Sequence, residues 1–174
     1  MTIDQILDDL GRREGLTYAA PPQIDQPTGP YGITLSVLAA YREAEVTVTD
    51  LQQLTAPEAR EVARWHLQQL AQRHGLDQIA DPSLYVQLLD FCYNSGAGLA
   101  VRWLQRTLRV PRTSVLDLAT VAAANAADPF LLNQALIAAR LQMIDRATDA
   151  GAIDRKYEEG LESRALQFSQ LEVP

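Results

Sequence analysis

The chain has 174 residues, 47% of them hydrophobic and 21% charged, with a formal net charge of −7. That length suits a single domain at about 100–200 residues each, and the balance supports a sizeable core and argues against disorder. One cysteine, Cys92, excludes a disulfide framework and a cysteine-built zinc site, and His66 and His74 alone leave little for a histidine-built one.

The elements follow in chain order. Ile3, Ile6, Leu7 and Leu10 carry the spacing of an amphipathic helix with Thr2 as N-cap, and Gly15 stops it. Residues 16–33 hold Pro21, Pro22, Pro27 and Pro30 with Gly29 and Gly32, which predicts a structured loop with at most a short irregular hairpin. A loop of that length in a compact domain points to function.

Helical patterning then runs almost unbroken. Helices are expected over about 34–44 and 50–54, and Thr55-Ala56-Pro57-Glu58 is a capping box opening one to His74, closed by Gly75. Pro82 opens a helix with Leu84, Leu88, Leu89 and Cys92 buried, ending at Asn94-Ser95-Gly96; the next covers about 97–109 with Leu99, Val101, Leu104 and Leu108 on its apolar side. Ser114 is expected to cap a helix to Ala126, Asp128-Pro129 one to Ala150, and a last helix takes 152–170. The fold class is therefore all-α, a helical bundle with a small irregular β or loop insertion near the N-terminus.

The acidic balance and scattered arginines, with Lys156 the lone lysine, argue against nucleic-acid binding. Arg102, Arg106, Arg109 and Arg112 are the nearest approach to a basic stripe and read as a solvated helix face. No run of about 18 apolar residues predicts membrane insertion. Met1-Thr2-Ile3-Asp4 shows neither a basic nor an apolar signal region, so the expectation is synthesis in the cytoplasm without a signal peptide.

Glu14 stands out chemically. It continues the apolar stripe of the first helix at its C-terminal end, where burial and the negative end of the helix dipole both disfavour the charged form. A carboxyl so placed is suited to general acid work, and the loop beyond it offers Asp25 and Thr28. His66 and His74 lack ligand-spaced carboxylate partners, Cys92 has no basic neighbour in sequence and reads as an inert buried thiol, and Trp65 and Trp103 read first as packing residues.

Arg13-Glu14-Gly15, the proline-rich loop and Tyr31-Gly32-Ile33-Thr34 resemble the N-terminal signature of glycoside hydrolase family 108, the phage-type muramidases. Leu89-Asp90-Phe91-Cys92-Tyr93-Asn94-Ser95-Gly96 with Ala100-Val101-Arg102-Trp103-Leu104-Gln105, and then Gly160-Leu161-Glu162-Ser163-Arg164, resemble that family's C-terminal half. The resemblance implies a single lysozyme-like domain over 1–174, with a catalytic lobe over 1–75 and a helical, peptidoglycan-binding-type half over 76–174. It implies an N-acetylmuramidase that cleaves the β-1,4 bond between N-acetylmuramic acid and N-acetylglucosamine without a cofactor or metal. Glu14 would be the general acid, with Asp25, or a carboxylate that the sequence does not place, as the second acid and Thr28 positioning water. Tyr31 would be a sugar-stacking platform and Asn94 a residue near the cleft. A phage holin, or a secretion apparatus, would release the enzyme to the periplasm and cell wall.

The sequence also departs from the pattern. Glu-Gly-Gly has become Glu14-Gly15-Leu16, the expected loop acids are Ala20 and Gln23, and Asp25 is displaced by two positions. These departures motivate an alternative, a catalytically degenerate lysozyme-fold module that binds cell wall or a protein partner.

Overall fold

The computed structural model describes residues 2–19 and 27–170. The chain is all-α. The backbone pairing outside helices, among the described residues, is a pair of isolated antiparallel bridges, Ala19 with Thr28 and Thr28 with Thr34. The chain divides into two compact units, Thr2–Leu70 and Ala71–Pro174.

The N-terminal unit begins with α1 (Ile3–Glu14), where Thr2 and Gln5 form a reciprocal capping box. Its inward face is Ile6, Leu7 and Leu10, all fully buried. α2 (Leu35–Arg42) is capped by Thr34, and α3 (Val48–Gln53) by a box of Thr47 and Asp50. α4 (Ala56–His74) starts where Glu58 accepts from both the backbone N–H and the hydroxyl of Thr55, at 3.1 and 2.6 Å. The Thr47 and Thr55 hydroxyls hold the exposed Asp50 and Glu58 carboxyls below the usual range. α4 is tied to α1 by Arg60, which donates to Asp8 at 2.7 Å and Asp4 at 3.0 Å, and by Arg64, which also pairs with Asp4. Arg60 is held above the ordinary arginine range, first by its hydrogen bond to Tyr31 and then by Asp8. Trp65 packs edge-on to Tyr41 with ring centres 5.5 Å apart.

The C-terminal unit holds α5 (Pro82–Ser95), α6 (Ala97–Leu108), α7 (Leu118–Ala126), α8 (Pro129–Asp149) and α9 (Glu158–Leu166). α8 is the central element, packing on α5, α6, α7 and α9. Asp81, Asp117 and Asp128 cap α5, α7 and α8 through their carboxylates, at 2.7, 2.8 and 2.9 Å from backbone N–H groups. Pro82 and Pro129 occupy first-turn positions, where no backbone donor is lost.

Three expectations are corrected here. Ser114 does not cap α7: it sits at φ +63°, and Asp117 is the cap. The reason is Gln105, fully buried on α6, whose Oε1 accepts from Ser114 N at 3.0 Å while its amide donates to Thr113 Oγ1, Val115 O and Thr120 Oγ1 at 2.7–3.0 Å. That clamp fixes the α6–α7 connection and delays the helix by one turn. The expected last helix is broken, because Asp154 caps a single 3-10 turn at Arg155–Tyr157 before α9 begins, and a second 3-10 turn, Gln167–Gln170, follows α9. Leu99 lies on the outer side of α6 and is exposed.

Cys92 is buried, and burial pushes its thiol up to about 12 even though Arg140 acts in the opposite direction. That arginine, remote in sequence, is the basic neighbour that sequence reading did not find. The thiolate is the reactive form, so native protein at pH 8 should not react with a thiol-directed disulfide reagent over minutes, whereas unfolded protein should. Prompt labelling of the native chain would contradict this.

Candidate active site

α1 ends at Glu14, and Gly15 at φ +86° turns the chain into the loop. The returning segment is stitched back: Ala19 and Thr28 exchange backbone hydrogen bonds of 2.8 and 3.0 Å, Gly29 N donates to Ile33 O at 2.7 Å, and Tyr31 N donates to Gly15 O at 2.9 Å. The last of these ties the 3-10 turn Pro30–Gly32 directly onto the end of α1.

Tyr31 stands at φ 61°, ψ 17°, a left-handed conformation that costs a non-glycine residue about 1–2 kcal/mol. Its ring is locked in compensation. It lies over Gly11, where an added Cβ would come within 3.0 Å of the ring, and Arg60 bonds its hydroxyl from α4. Gly11 therefore admits the close approach of ring and helix. Tyr31, expected as a sugar-stacking platform, is 6% exposed here, with its ring packed against α1.

Glu14 is placed by the same return. A Cβ added to Gly32 would come within 3.3 Å of Glu14 Oε2 and 3.4 Å of its Cγ, so the carboxylate arm rests on the bare backbone of that glycine. The burial expected for Glu14 is not found; the residue is exposed. The apolar stripe runs out with Leu10 and Gly11, one turn earlier, and the helix ends before it can carry Glu14 inward. Nor is Glu14 tied down by Arg13 or Arg42: Arg13 pairs with the buried Asp9 at 2.8 Å and Arg42 with Asp50 at 3.0 Å. Among the described residues Glu14 has neither an ion pair nor a hydrogen bond.

Gly32 sits at φ +71°. Gly32→Ala should therefore cost about 1–2 kcal/mol in the N-terminal unit, from the left-handed backbone alone. Urea unfolding followed by Trp65 fluorescence in a Trp103→Phe background measures it, and an unchanged midpoint would contradict the placement of this turn.

Thr28 is half-buried, and its backbone joins both bridges of the loop, to Ala19 and to Thr34. Asp25, like Pro21 and Pro22, lies outside the described residues. Among the described residues no group of three histidine, cysteine, aspartate or glutamate side chains gathers to hold a metal ion, and no helix is long and apolar enough to cross a membrane.

Asn94 belongs to the C-terminal unit, where its amide donates to Asp90 O at 2.6 Å and Asp90 Oδ1 at 3.2 Å. Asp90 is fully buried and receives Arg164 Nε at 3.0 Å on one oxygen and Arg140 Nη2 at 2.9 Å on the other. The guanidinium of Arg140 also lies over the rings of Phe91 and Phe168, at 4.7 and 5.6 Å from their centres. Thus Asp90 and Arg164, 74 positions apart, form one buried cluster with Arg140, and the half-buried Asn94 borders it one helical turn from Asp90. Gln105, a further motif residue, is the clamp of the α6–α7 connection. Their positions account for these residue types by packing and charge pairing. Asn94, expected near the cleft, is half-buried and bonded to Asp90.

Sequence reading missed Arg60, whose link to Tyr31 has no local signal because the two are 29 positions apart. It also missed Arg146, which joins the arginines of α6 only through the packing of α8 on that helix.

No family model matches the chain, and no curated protein matches it. Among solved structures, that of SagA from Brucella abortus is similar, at 24% identity over 96% of this chain and 95% of that one, with a TM-score of 0.65. The helical scaffold that carries Glu14 and the Asp90 cluster is thus a fold shared with Brucella abortus SagA.

Proposed function

We propose that the chain is a peptidoglycan hydrolase, an N-acetylmuramidase that cleaves the β-1,4 bond between N-acetylmuramic acid and N-acetylglucosamine. The observation that carries this reading is Glu14: a solvent-facing carboxyl without a partner among the described residues, set at a helix end over Gly32 by the loop that resembles the muramidase signature. Glu14 protonates the glycosidic oxygen as the sugar takes on oxocarbenium character. Asp25 is the proposed second carboxylate, and the Thr28 hydroxyl is proposed to position water. A separation of about 6.5–9.5 Å between the two carboxyls would give inversion, and about 5–5.5 Å retention. Tyr31 contributes by bracing the turn under Glu14. Export through a holin or a secretion apparatus would bring the enzyme to the wall. The test is a zymogram of purified Gram-negative peptidoglycan: the wild type clears it, and Glu14→Gln does not.

A second reading has its own observation. A carboxyl that acts as an acid near neutral pH is usually sheltered from water, and Glu14 is exposed. On this reading the chain is a degenerate lysozyme-fold module that holds cell wall or a protein partner. Sedimentation with insoluble peptidoglycan without any clearing would favour it.

A further inference from the structure

The C-terminal ends of α6 and α8 meet at a pocket of about 570 Å³ lined by Arg106, Arg109, Val110, Arg112 and Arg146. Among the described residues four guanidinium-bearing side chains and no carboxylate line it, on a chain whose net charge is −7. None of the four has an ion-pair partner among the described residues, and all four are exposed. Three of the four arginines expected to form a solvated helix face, Arg106, Arg109 and Arg112, are therefore joined by one from a second helix to form a concave positive site, and Arg102 lies outside it.

Helix dipoles explain part of this. Arg106 lies in the last turn of α6 and Arg146 in the last turn of α8, where the carbonyl ends attract cations. That accounts for one arginine on each helix. Arg109 and Arg112 add two more positive charges, and like charges a few ångströms apart repel by about 1 kcal/mol per pair even in water. The cluster lacks internal compensation, and guanidinium groups pair best with planar or tetrahedral oxyanions in two-point contact.

The pocket is larger than a single small ion requires; it falls within the about 300–1,000 Å³ of small-molecule sites. It also adjoins a second hollow of about 300 Å³, which shares Arg106 and is lined by Trp103, Thr107, Ala138 and Gln142. The Arg106 guanidinium stacks on Trp103 at 4.6 Å, which joins the charged and neutral parts into one groove.

We propose that this groove binds a small ligand with two or more closely spaced oxyanion groups, phosphate or carboxylate, whose neutral body lies along Trp103 and Gln142. Long nucleic acids are disfavoured by the net acidity of the chain, whereas a compact polyanion meets the arginines at short range. This site is independent of Glu14 and of the proposed lytic activity.

Titration calorimetry at low salt with tripolyphosphate and with citrate tests it on the full chain. At least one should bind with a dissociation constant below about 1 mM. Arg109→Gln/Arg146→Gln should weaken that binding by about tenfold or more, since two of four charge-assisted contacts are lost. Arg73→Gln/Arg102→Gln removes the same charge outside the pocket and should keep the affinity. All these side chains are exposed, so thermal melts of both variants should match the wild type. Tighter binding of tripolyphosphate assigns a phosphoryl ligand, and tighter binding of citrate a carboxylate one. Binding of neither probe, or equal weakening in both double variants, would overturn the proposal.

Discussion

Asp90→Ala should destabilise the C-terminal unit by about 3–5 kcal/mol, the cost of removing one partner from a buried ion pair. Asp90 and both of its arginine partners are almost fully enclosed, with side-chain exposures of 1%, 4% and 4%. Burial pulls Arg140 below the ordinary arginine range, and Asp90 is the group that acts against it. Arg140 Nη1 and Arg164 Nη2 already lack hydrogen-bond partners among the described residues, so losing the carboxylate adds to an existing shortfall. The alanine variant leaves two uncompensated guanidinium groups in an apolar setting next to Phe91 and Phe168. Replacing all three charged residues, Asp90→Ala with Arg140→Met and Arg164→Leu, should recover most of the loss, because the desolvation cost leaves with the charges. Urea unfolding followed by Trp103 fluorescence in a Trp65→Phe background reports on this unit. A single variant within about 1 kcal/mol of the parent would show that the cluster carries little net energy.

Glu14→Gln should lower the rate of peptidoglycan lysis by about 10²–10⁴-fold, the usual contribution of a positioned general acid. The substitution keeps the shape of the side chain and its rest on Gly32 but removes the transferable proton. Glu14 is exposed and without an ion pair among the described residues, so stability should change by no more than about 0.5 kcal/mol. That contrast separates chemistry from folding: a lytic defect with an unaltered melt assigns the acid, and a defect with a lowered melt does not.

The contrast between these two carboxylates also marks what the sequence discloses. Helix starts were legible where a side chain caps them locally: Thr2, Thr55 and Asp128 all act within three positions of themselves. Ser114 misled because the cap at Asp117 is decided by Gln105, nine positions before Ser114, acting through tertiary hydrogen bonds. Glu14 was legible as the end of the first helix beside the loop, but its exposure was not. Periodicity extends a buried stripe past the point where Gly15 ends the helix. Tyr31 was legible as a loop residue, yet aromatic character does not say which way a ring faces; Gly11, one helix face away, settles it. Asp90, Arg140 and Arg164 are separated by 50 and 74 positions, and no local pattern announces that they meet. Asp25 lies outside the described residues, and its part rests on the resemblance alone.

The proposed activity is the cleavage of one glycosidic bond with Glu14 as the general acid. The most direct measurement is to digest purified peptidoglycan, reduce the products with borohydride and identify the new reducing ends by mass spectrometry. New N-acetylmuramic acid ends are expected with the wild type, and their near absence with Glu14→Gln. No new reducing ends with folded wild-type protein, or equal yields from the two proteins, would contradict it.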